Sequence, residues 1–253
     1  MTGERKKQLE QAADIFLDAR RTGKLIGNLP EELKPATMAE AYFVQDAMAE
    51  AYEDVGGWKI GGPPTDDPFY APMPTAWMAS TGSTFKGNRF HGVEAEIAYC
   101  MGSDLPPREV LYTREEVMAA IASCHPAIEV LEVAFTDVKA VERFVSFGDM
   151  QMHGGFVYGP AFAEWKSMDW AAEQVVVTVD GVVRMERTAS NPAGTDLMRL
   201  LVYLANEGAA RTGGLKAGQW ITTGSWVGCV QASGDSQVEV KFKYAGTVTM
   251  RFA

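Results

Sequence analysis

The stretch GVEAEIAYC, residues 92–100, decides how the rest of the chain is interpreted, because it places two charged residues inside an apolar run. Glu94 and Glu96 alternate with apolar residues, which predicts a β-strand. Successive strand side chains point to opposite faces, so the two carboxylates share one face, roughly 7 Å apart along the chain. Either that face is solvated or a positive charge lies beside it.

A divalent metal would explain this acidic pair. On a partly buried face the two carboxylates repel each other by roughly 2–3 kcal/mol at an effective dielectric of about 20. A divalent cation reverses the sign, and hard oxygen ligands suit Mg²⁺ or Mn²⁺. Two carboxylates hold a metal loosely, so we expect a third. The next apolar stretch, HPAIEVLEVAF, offers Glu129 and Glu132 on opposite faces, and alternation does not choose between them. The alternative is that all four glutamates lie on solvated faces.

The segment GGWKIGG, residues 56–62, carries a lysine that does not fit an amphipathic surface pattern. Lys59 lies between Trp58 and Ile60, and partial burial would lower its pKa and make it a candidate proton donor or acceptor. Gly61 would let backbone amides approach a ligand closely. An exposed lysine at the end of a strand is the alternative interpretation.

Hydroxyl groups cluster in WITTGSWVG, residues 220–228, where Thr222, Thr223 and Ser225 surround Gly224. Hydroxyls and free backbone amides after a short strand are able to bind a carboxylate, although a plain turn explains the pattern equally well. The three histidines share no metal-ligand spacing. His153 lies in a loop-like stretch from which it could reach a site.

Composition excludes several classes of protein. The chain has 253 residues, a net charge of -10 and 47% hydrophobic residues, which is ordinary for a globular protein. A nucleic-acid surface or an anionic membrane would require clustered basic residues. We find no apolar run of about 18 residues and no secretory signal at the N-terminus. Three cysteines without CxxC spacing predict neither a disulfide framework nor a zinc site. This cysteine usage indicates a protein of the reducing cytoplasm.

The order of elements predicts an α+β fold. Residues 1–56 have helical periodicity, including a Thr37/Glu40 capping box whose helix we expect to end at Gly56 and Gly57. Residues 57–253 are rich in strands. A strand is expected to begin after Pro126, and hairpins are expected at residues 180–181 and 245–246. We therefore predict a small helical N-terminal region, 1–56, and a catalytic domain, 57–253.

These motifs together resemble the 2-oxopent-4-enoate hydratase branch of the fumarylacetoacetate hydrolase superfamily, which includes 2-keto-4-pentenoate hydratases and 2-oxo-3-enedioate decarboxylases. The resemblance spans nearly the whole chain in the right order. It is carried by AEAYFVQDAM, GGWKIGG, VEAEIAY, HPAIEVLEVAF, DMQMHGGFVYG, SNPAGTDLMRLLVYLANEG, LKAGQWITTGS and FKYAGTVTMRF.

The resemblance implies a mixed β-roll body, a divalent metal (Mg²⁺ or Mn²⁺), a small-molecule 2-oxo acid substrate and a homo-oligomer. It implies that Glu94, Glu96 and Glu129 are the metal ligands, which resolves the choice against Glu132. It also implies acid–base chemistry for Lys59. By the same resemblance, Thr223 lies where members of the family bind the substrate carboxylate, with Ser225 and Gly61 beside it.

The sequence also departs from the family pattern. Thr75 and Ala76 stand where carboxylates are usual in hydratases, and the Ala-Asp-Asn element is replaced by Gly148-Asp149-Met150. The expected activity is hydration of a 2-hydroxypenta-2,4-dienoate-type substrate in aromatic degradation. Decarboxylation and C–C bond hydrolysis are alternatives that need the same metal-stabilised enolate. A non-catalytic 2-oxo acid binding protein is an alternative from another class, but it would not require Lys59.

Overall fold

The computed structural model describes residues 1–52 and 54–253. Its α-helices are short after the first two: α1 Gly3–Thr22, α2 Met38–Ala49, α3 Arg114–Ala119, α4 Arg143–Gly148, α5 Met198–Ala205 and α6 Ala209–Thr212. Its strands are β1 Val55–Gly61, β2 Phe69–Pro74, β3 Met78–Ser80, β4 Ser83–Phe85, β5 Gly92–Met101, β6 Ile121–Leu131, β7 His153–Tyr158, β8 Gln174–Val179, β9 Val182–Thr188, β10 Trp220–Thr222, β11 Val230–Gln231, β12 Gln237–Phe242 and β13 Gly246–Phe252.

Two mixed sheets form the body. The larger has the order β2-β1-β10-β5-β6-β7-β3, with β11 paired to β5, and the smaller has the order β4-β13-β12-β8-β9. β1 runs parallel to β10, and β5, β6 and β7 form antiparallel pairs. The long strands β5 and β6 lie in the middle of the larger sheet and are buried along most of their length. This mixed arrangement with few helices confirms the predicted α+β class.

The two N-terminal helices pack on the body. Thr37 caps α2 by accepting a hydrogen bond from the Glu40 amide, as the capping box predicts. The Glu40 carboxylate, however, binds the amide of Ala36 and the guanidinium of Arg5 instead of completing the box. Apolar side chains of both helices share one buried cluster with residues of the body, among them Phe135 and Met150. The proposed division at residues 56 and 57 falls within β1.

Two sequence-based boundaries were wrong. Helix α2 ends at Ala49, and Gly56 and Gly57 lie in β1, where a Cβ on Gly57 would overlap the carbonyl oxygen of Trp220. Glycine therefore serves close strand packing there and not a helix end. β6 begins at Ile121 and runs through Pro126.

Both predicted hairpins are present. Asp180 and Gly181 adopt φ values of 52° and 77° between β8 and β9, as a type I′ turn requires. The second hairpin joins β12 to β13. None of the helices described here is long and apolar enough to cross a bilayer.

Candidate metal centre and active-site cavity

Three glutamates come together on one face of the larger sheet. Glu94 and Glu96 lie on β5, and Glu129 lies on β6 directly opposite Glu94 in the antiparallel register. One carboxylate oxygen from each side chain lies within 4.8 Å of the other two. The period of two along β5 and this cross-strand register together produce the cluster. Glu132 faces elsewhere, and its carboxylate accepts hydrogen bonds from the amides of Arg89 and Val133.

Lys59 reaches the cluster from β1. Its Nζ lies 2.5 Å from Oε1 of Glu129 and 2.9 Å from the carbonyl oxygen of Gln151. β1 is held beside the acidic strands through β10, which pairs with both β1 and β5. The structure therefore brings together Lys59 and the three glutamates named from the sequence.

The protonation of Lys59 differs from the sequence-based expectation. Burial lowers the pKa of Lys59, but the charges of Glu129, Glu94 and Glu96 more than offset burial, so its pKa is raised above the usual value. The expectation of a lowered pKa considered burial alone and was wrong about the direction. As long as no cation neutralises the charge of these carboxylates, Lys59 is an ammonium ion.

The carboxylates share their negative charge unequally. Burial, followed by repulsion from Glu129, raises the pKa of Glu94 to about 7, and the same two causes raise the pKa of Glu96 well above its ordinary value. Burial acts on Glu129 as well, but the charge of Lys59 and a hydrogen bond from His153 outweigh it and lower its pKa. At neutral pH the cluster therefore carries fewer negative charges than its three carboxylates can supply.

The turn after β10 fixes Glu96. Oε2 of Glu96 accepts hydrogen bonds from the hydroxyl of Thr222 and, at 2.9 Å, from the amide of Gly224. Gly224 has a φ of 88°, which favours glycine. Asn191 holds the turn by donating to the carbonyl oxygens of Thr223 and Gly224 at 3.0 and 3.1 Å. The sequence indicated Thr222 only as one of the hydroxyls around Gly224, and it did not single out Asn191, since the contacts of both residues depend on the turn.

The predicted substrate-contacting residues have different positions. Gly61 and Ser225 line the cavity above the glutamates. Thr223 is fully buried and its hydroxyl donates to the carbonyl oxygen of Ile97 at 2.7 Å, so it is committed to the backbone. Thr75 and Ala76, at the positions where the resemblance suggested carboxylates, are exposed.

The cavity has a volume of ≈ 330 Å³, with Lys59, Glu94 and Glu96 at its base. Its walls are mostly apolar and include Phe69 and Phe147. Such a volume suits a small ligand whose polar end meets the glutamates and whose remainder meets apolar walls.

His153 and Arg20 hold Glu129 and its neighbouring segment in place. His153 is fully buried and its Nδ1 lies 2.9 Å from Oε1 of Glu129. Burial lowers the pKa of His153, so the imidazole is neutral and donates to the carboxylate. Arg20, on α1, donates to Oδ1 of Asp149 at 2.6 Å and to the carbonyl oxygen of His153 at 2.6 Å. The sequence carried no signal for Arg20, because its partners are more than a hundred positions away.

The carboxylate cluster fits a hard divalent cation. Its donors are all oxygen atoms, which suits Mg²⁺ and Mn²⁺. Oε2 of Glu129 is buried and meets no hydrogen-bond donor among the described residues, so the cluster retains an acceptor for a cation.

The chain is similar over nearly its full length to two bacterial hydratases. It is 24% identical over 271 residues to the 2-hydroxyhexa-2,4-dienoate hydratase of Comamonas testosteroni, covering 98% of each chain. It is 23% identical over 262 residues to the 2-keto-4-pentenoate hydratase of Paraburkholderia xenovorans, covering 97% of this chain and 95% of that one. No family model matches the chain.

Solved structures share the fold. The 4-oxalocrotonate decarboxylase of Pseudomonas putida G7, complexed with magnesium and adipate, superposes with a TM-score of 0.81 at 21% identity, covering 100% of this chain and 99% of that one. A protein of Yersinia pestis CO92 assigned to the fumarylacetoacetate hydrolase family gives a TM-score of 0.57 at 17% identity, covering 78% of this chain and 91% of that one. These comparisons confirm the predicted resemblance and the predicted fold.

Proposed function

We propose that this protein is a divalent-metal-dependent lyase that hydrates a small 2-hydroxydienoate of the 2-hydroxypenta-2,4-dienoate type in the degradation of aromatic compounds. One observation carries the proposal. Three glutamate carboxylates approach one another within 4.8 Å, and two of them, Glu94 and Glu96, lie with Lys59 at the base of one cavity. The similarity to two hydratases supports the same reaction class.

We assign metal binding to Glu94, Glu96 and Glu129, with Mg²⁺ or Mn²⁺ as the ion. Bound there, the cation would stabilise the negative charge of an enolate formed from a 2-oxo acid, and it would offset the carboxylate charge that now keeps Lys59 protonated. Thr222 and Gly224 hold Oε2 of Glu96, and Lys59 and His153 hold Oε1 of Glu129, so these two carboxylates are oriented before a ligand arrives.

Lys59 is the proposed proton carrier. Its Nζ is fixed between Glu129 and the carbonyl oxygen of Gln151, and it lines the cavity beside the two other glutamates. An ammonium in that place can deliver a proton to the dienoate carbon chain and accept it back. His153 keeps Glu129 oriented through the hydrogen bond to Oε1.

The cavity walls suit the rest of the substrate. Ser225 and Gly61 lie near the glutamates and are proposed to contact the acid end of the substrate. Phe69 and Phe147 surround the part of the cavity available to the hydrocarbon chain, and their rings lie 4.9 Å apart between centroids. Apolar walls exclude bulk water and so strengthen the electrostatic interactions at the base.

Decarboxylation of a 2-oxo-3-enedioate is the second candidate. One observation favours it: among the described residues, the acidic groups that line the cavity are Glu94 and Glu96, so no further carboxylate is present to activate water. Decarboxylation requires the same enolate stabilisation but no added water.

A comparison of two substrates tests the proposal. The metal-depleted protein is incubated with 2-hydroxypenta-2,4-dienoate or with 2-oxo-3-hexenedioate, with and without Mg²⁺, while absorbance and released CO₂ are followed. We expect Mg²⁺-dependent hydration of the first substrate. Glu96→Ala should abolish both turnover and the thermal stabilisation by Mg²⁺. Unchanged activity after chelation would reject the metal-dependent mechanism, and CO₂ release without hydration would favour the decarboxylase.

Two further expectations stay predictions. The resemblance implies a homo-oligomer, which analytical ultracentrifugation would test. The composition favours a cytoplasmic location, which fractionation of the source cells would test.

A further inference from the structure

The side chain of Gln151 is an unexplained polar group in the cavity. It is only 7% exposed, and it lines the same cavity as Lys59 and the glutamates. Both its amide oxygen and its amide nitrogen are buried without a hydrogen-bond partner among the described residues. A buried amide with both functions unpaired is unfavourable, which indicates that a ligand supplies the missing partners.

The backbone holds Gln151 in place. Met150, Gln151 and Met152 have φ values of 53°, 50° and 64°, a conformation that non-glycine residues rarely adopt. Arg20 anchors both ends of this segment by binding the carbonyl oxygens of Asp149 and His153. Such a conformation persists only where the surroundings impose it, and it is frequent at active sites.

The same segment sets the distance between Gln151 and the proposed proton carrier. The carbonyl oxygen of Gln151 accepts a hydrogen bond from Nζ of Lys59 at 2.9 Å. The amide side chain therefore starts from a backbone position adjacent to Lys59 and extends into the cavity.

The chemistry of an amide limits what the ligand can be. A carboxamide offers hydrogen-bond donors on nitrogen and an acceptor on oxygen. A water molecule or an alcohol can both donate and accept, so it satisfies both functions. A carboxylate only accepts, so it would leave the amide oxygen unpaired.

The charge of the cavity lining also favours a neutral ligand over a carboxylate. Lys59 is the one cationic side chain among the described lining residues, and it is already bound to Glu129. A second carboxylate at the far end of a substrate would therefore lie without a cation, against walls that include Phe69 and Phe147. Burying an unpaired carboxylate is strongly unfavourable.

We propose that Gln151 binds the water molecule that adds to the substrate, and then the hydroxyl group of the product. This inference rests on the proposed hydratase function. In the addition step the water oxygen bonds to carbon 4 of a 2-oxo-3-enoate, and the π pair of the C3–C4 double bond moves into the enolate. The oxygen loses one proton and carbon 3 gains one, so the sum is addition of one H₂O. Gln151 neither gains nor loses a proton and acts by orienting the oxygen.

The kinetic test separates two steps that share the metal and Lys59. Ketonisation of 2-hydroxypenta-2,4-dienoate is followed by deuterium incorporation at carbon 5, and hydration is followed by formation of the 4-hydroxy-2-oxo acid. The variant Gln151→Met removes both hydrogen-bonding functions and keeps a similar volume. Methionine already has a positive φ at the two neighbouring positions, so the variant is expected to fold.

For Gln151→Met we expect ketonisation within about twofold of the unaltered protein and a fall in the hydration kcat of roughly 10- to 100-fold. Hydration at an unchanged rate would overturn the proposal, and so would an equal loss of both steps. Ketonisation without hydration by the unaltered protein would instead reject the proposed function, together with this inference.

A binding measurement needs no turnover and controls for misfolding. Affinities of the Mg²⁺-loaded protein are compared for 4-hydroxy-2-oxopentanoate and 2-oxopentanoate, which differ by one hydroxyl group. The unaltered protein should prefer the hydroxylated acid by roughly 5- to 10-fold, and Gln151→Met should bind both equally. Equal binding by the unaltered protein, or a preference that persists in the variant, would overturn the role of Gln151.

Discussion

Glu94 and Glu129 are direct partners in the antiparallel register of β5 and β6, so two carboxylates face each other across neighbouring strands. Like charges directly opposite each other destabilise a sheet. Here the charge of Lys59, 2.5 Å from Glu129, relieves part of the repulsion. The rest is relieved by protons held on Glu94 and Glu96, whose pKa values are raised. A divalent cation would replace those protons, so the proposed metal site would be a source of instability without metal.

The first prediction separates Glu129, in β6, from Glu132, which directly follows that strand. Glu129→Gln is expected to abolish turnover and the rise in melting temperature on adding Mg²⁺, because Glu129 faces the cluster. Glu132→Gln should retain both, since its carboxylate binds the amides of Arg89 and Val133. Differential scanning fluorimetry with and without Mg²⁺, together with the hydration assay, measures the contrast. Retention of the Mg²⁺ shift by Glu129→Gln would remove this residue from the metal site.

The second prediction concerns pH. Burial and the charge of Glu129 raise the pKa of Glu94 from its ordinary value of 4.5 to about 7. The folded protein thus retains a proton that the unfolded chain releases, so this contribution to the metal-free protein's stability is lost as pH rises from about 4.5 through about 7. Mg²⁺ competes with the proton, so its stabilising effect should grow over the same interval.

Melting temperatures from pH 5 to pH 8, in chelator and in Mg²⁺, test this dependence. We expect the Mg²⁺ shift to be small near pH 5 and largest near pH 8, and calorimetry should detect proton release when Mg²⁺ binds near pH 6.5. A Mg²⁺ shift that is equal at both ends of the range would show that Glu94 is already ionised in the metal-free protein.

The third prediction separates proton transfer from metal binding. Lys59→Met should lower kcat by roughly 10²- to 10⁴-fold, the range of general acid–base catalysis. The Mg²⁺-induced shift should persist, because the variant leaves all three carboxylates in place. Lys241→Met, on an exposed position of β12, is the matched control and should keep the kcat of the unaltered protein. A kcat for Lys59→Met equal to that of the control would exclude Lys59 from the mechanism.

Sequence analysis predicted those site residues that are marked by a pattern in the residues next to them. Alternation in β5 predicted that Glu94 and Glu96 share a face, and the glycines around Lys59 marked an unusual strand. Pattern alone did not decide whether Glu129 or Glu132 is the third carboxylate of the cluster, because register between strands is a property of the sheet. The direction of the Lys59 pKa depended on charges from three other sequence positions.

Gln151 was missed for a related reason. It lies between two methionines, and no glycine in this left-handed segment indicates the unusual backbone conformation. Its position is imposed by Arg20, on the first helix, which binds Asp149 and the carbonyl oxygen of His153. Such long-range contacts leave no periodicity in a single sequence. The fold was easier to predict because helix N-caps and hairpin turns are local.

The fourth prediction tests this anchor with two neighbouring arginines. Arg20 is 7% exposed and bound to the buried Asp149, whereas Arg21 is 75% exposed and bound to Asp18 on the surface. Arg20→Met should lower the free energy of unfolding by about 3–5 kcal/mol, because it leaves a buried carboxylate unpaired. Arg21→Met should change it by no more than about 0.5 kcal/mol. Chemical denaturation measures both, and equal effects would show that Arg20 does not anchor the segment.

The fifth prediction uses two glycines of β1. An added methyl on Gly57 would overlap the carbonyl oxygen of Trp220, whereas on Gly61 its nearest neighbour would be the Cα of Gly224 at 3.9 Å. Gly57→Ala should therefore prevent the close pairing of β1 with β10 and give an unstable protein. Gly61→Ala should fold with a melting temperature near that of the unaltered protein, but its methyl would enter the cavity and raise KM for the dienoate. An unchanged KM in a folded Gly61→Ala protein would place the substrate away from this end of the cavity, and a stable Gly57→Ala protein would contradict the pairing of β1 with β10.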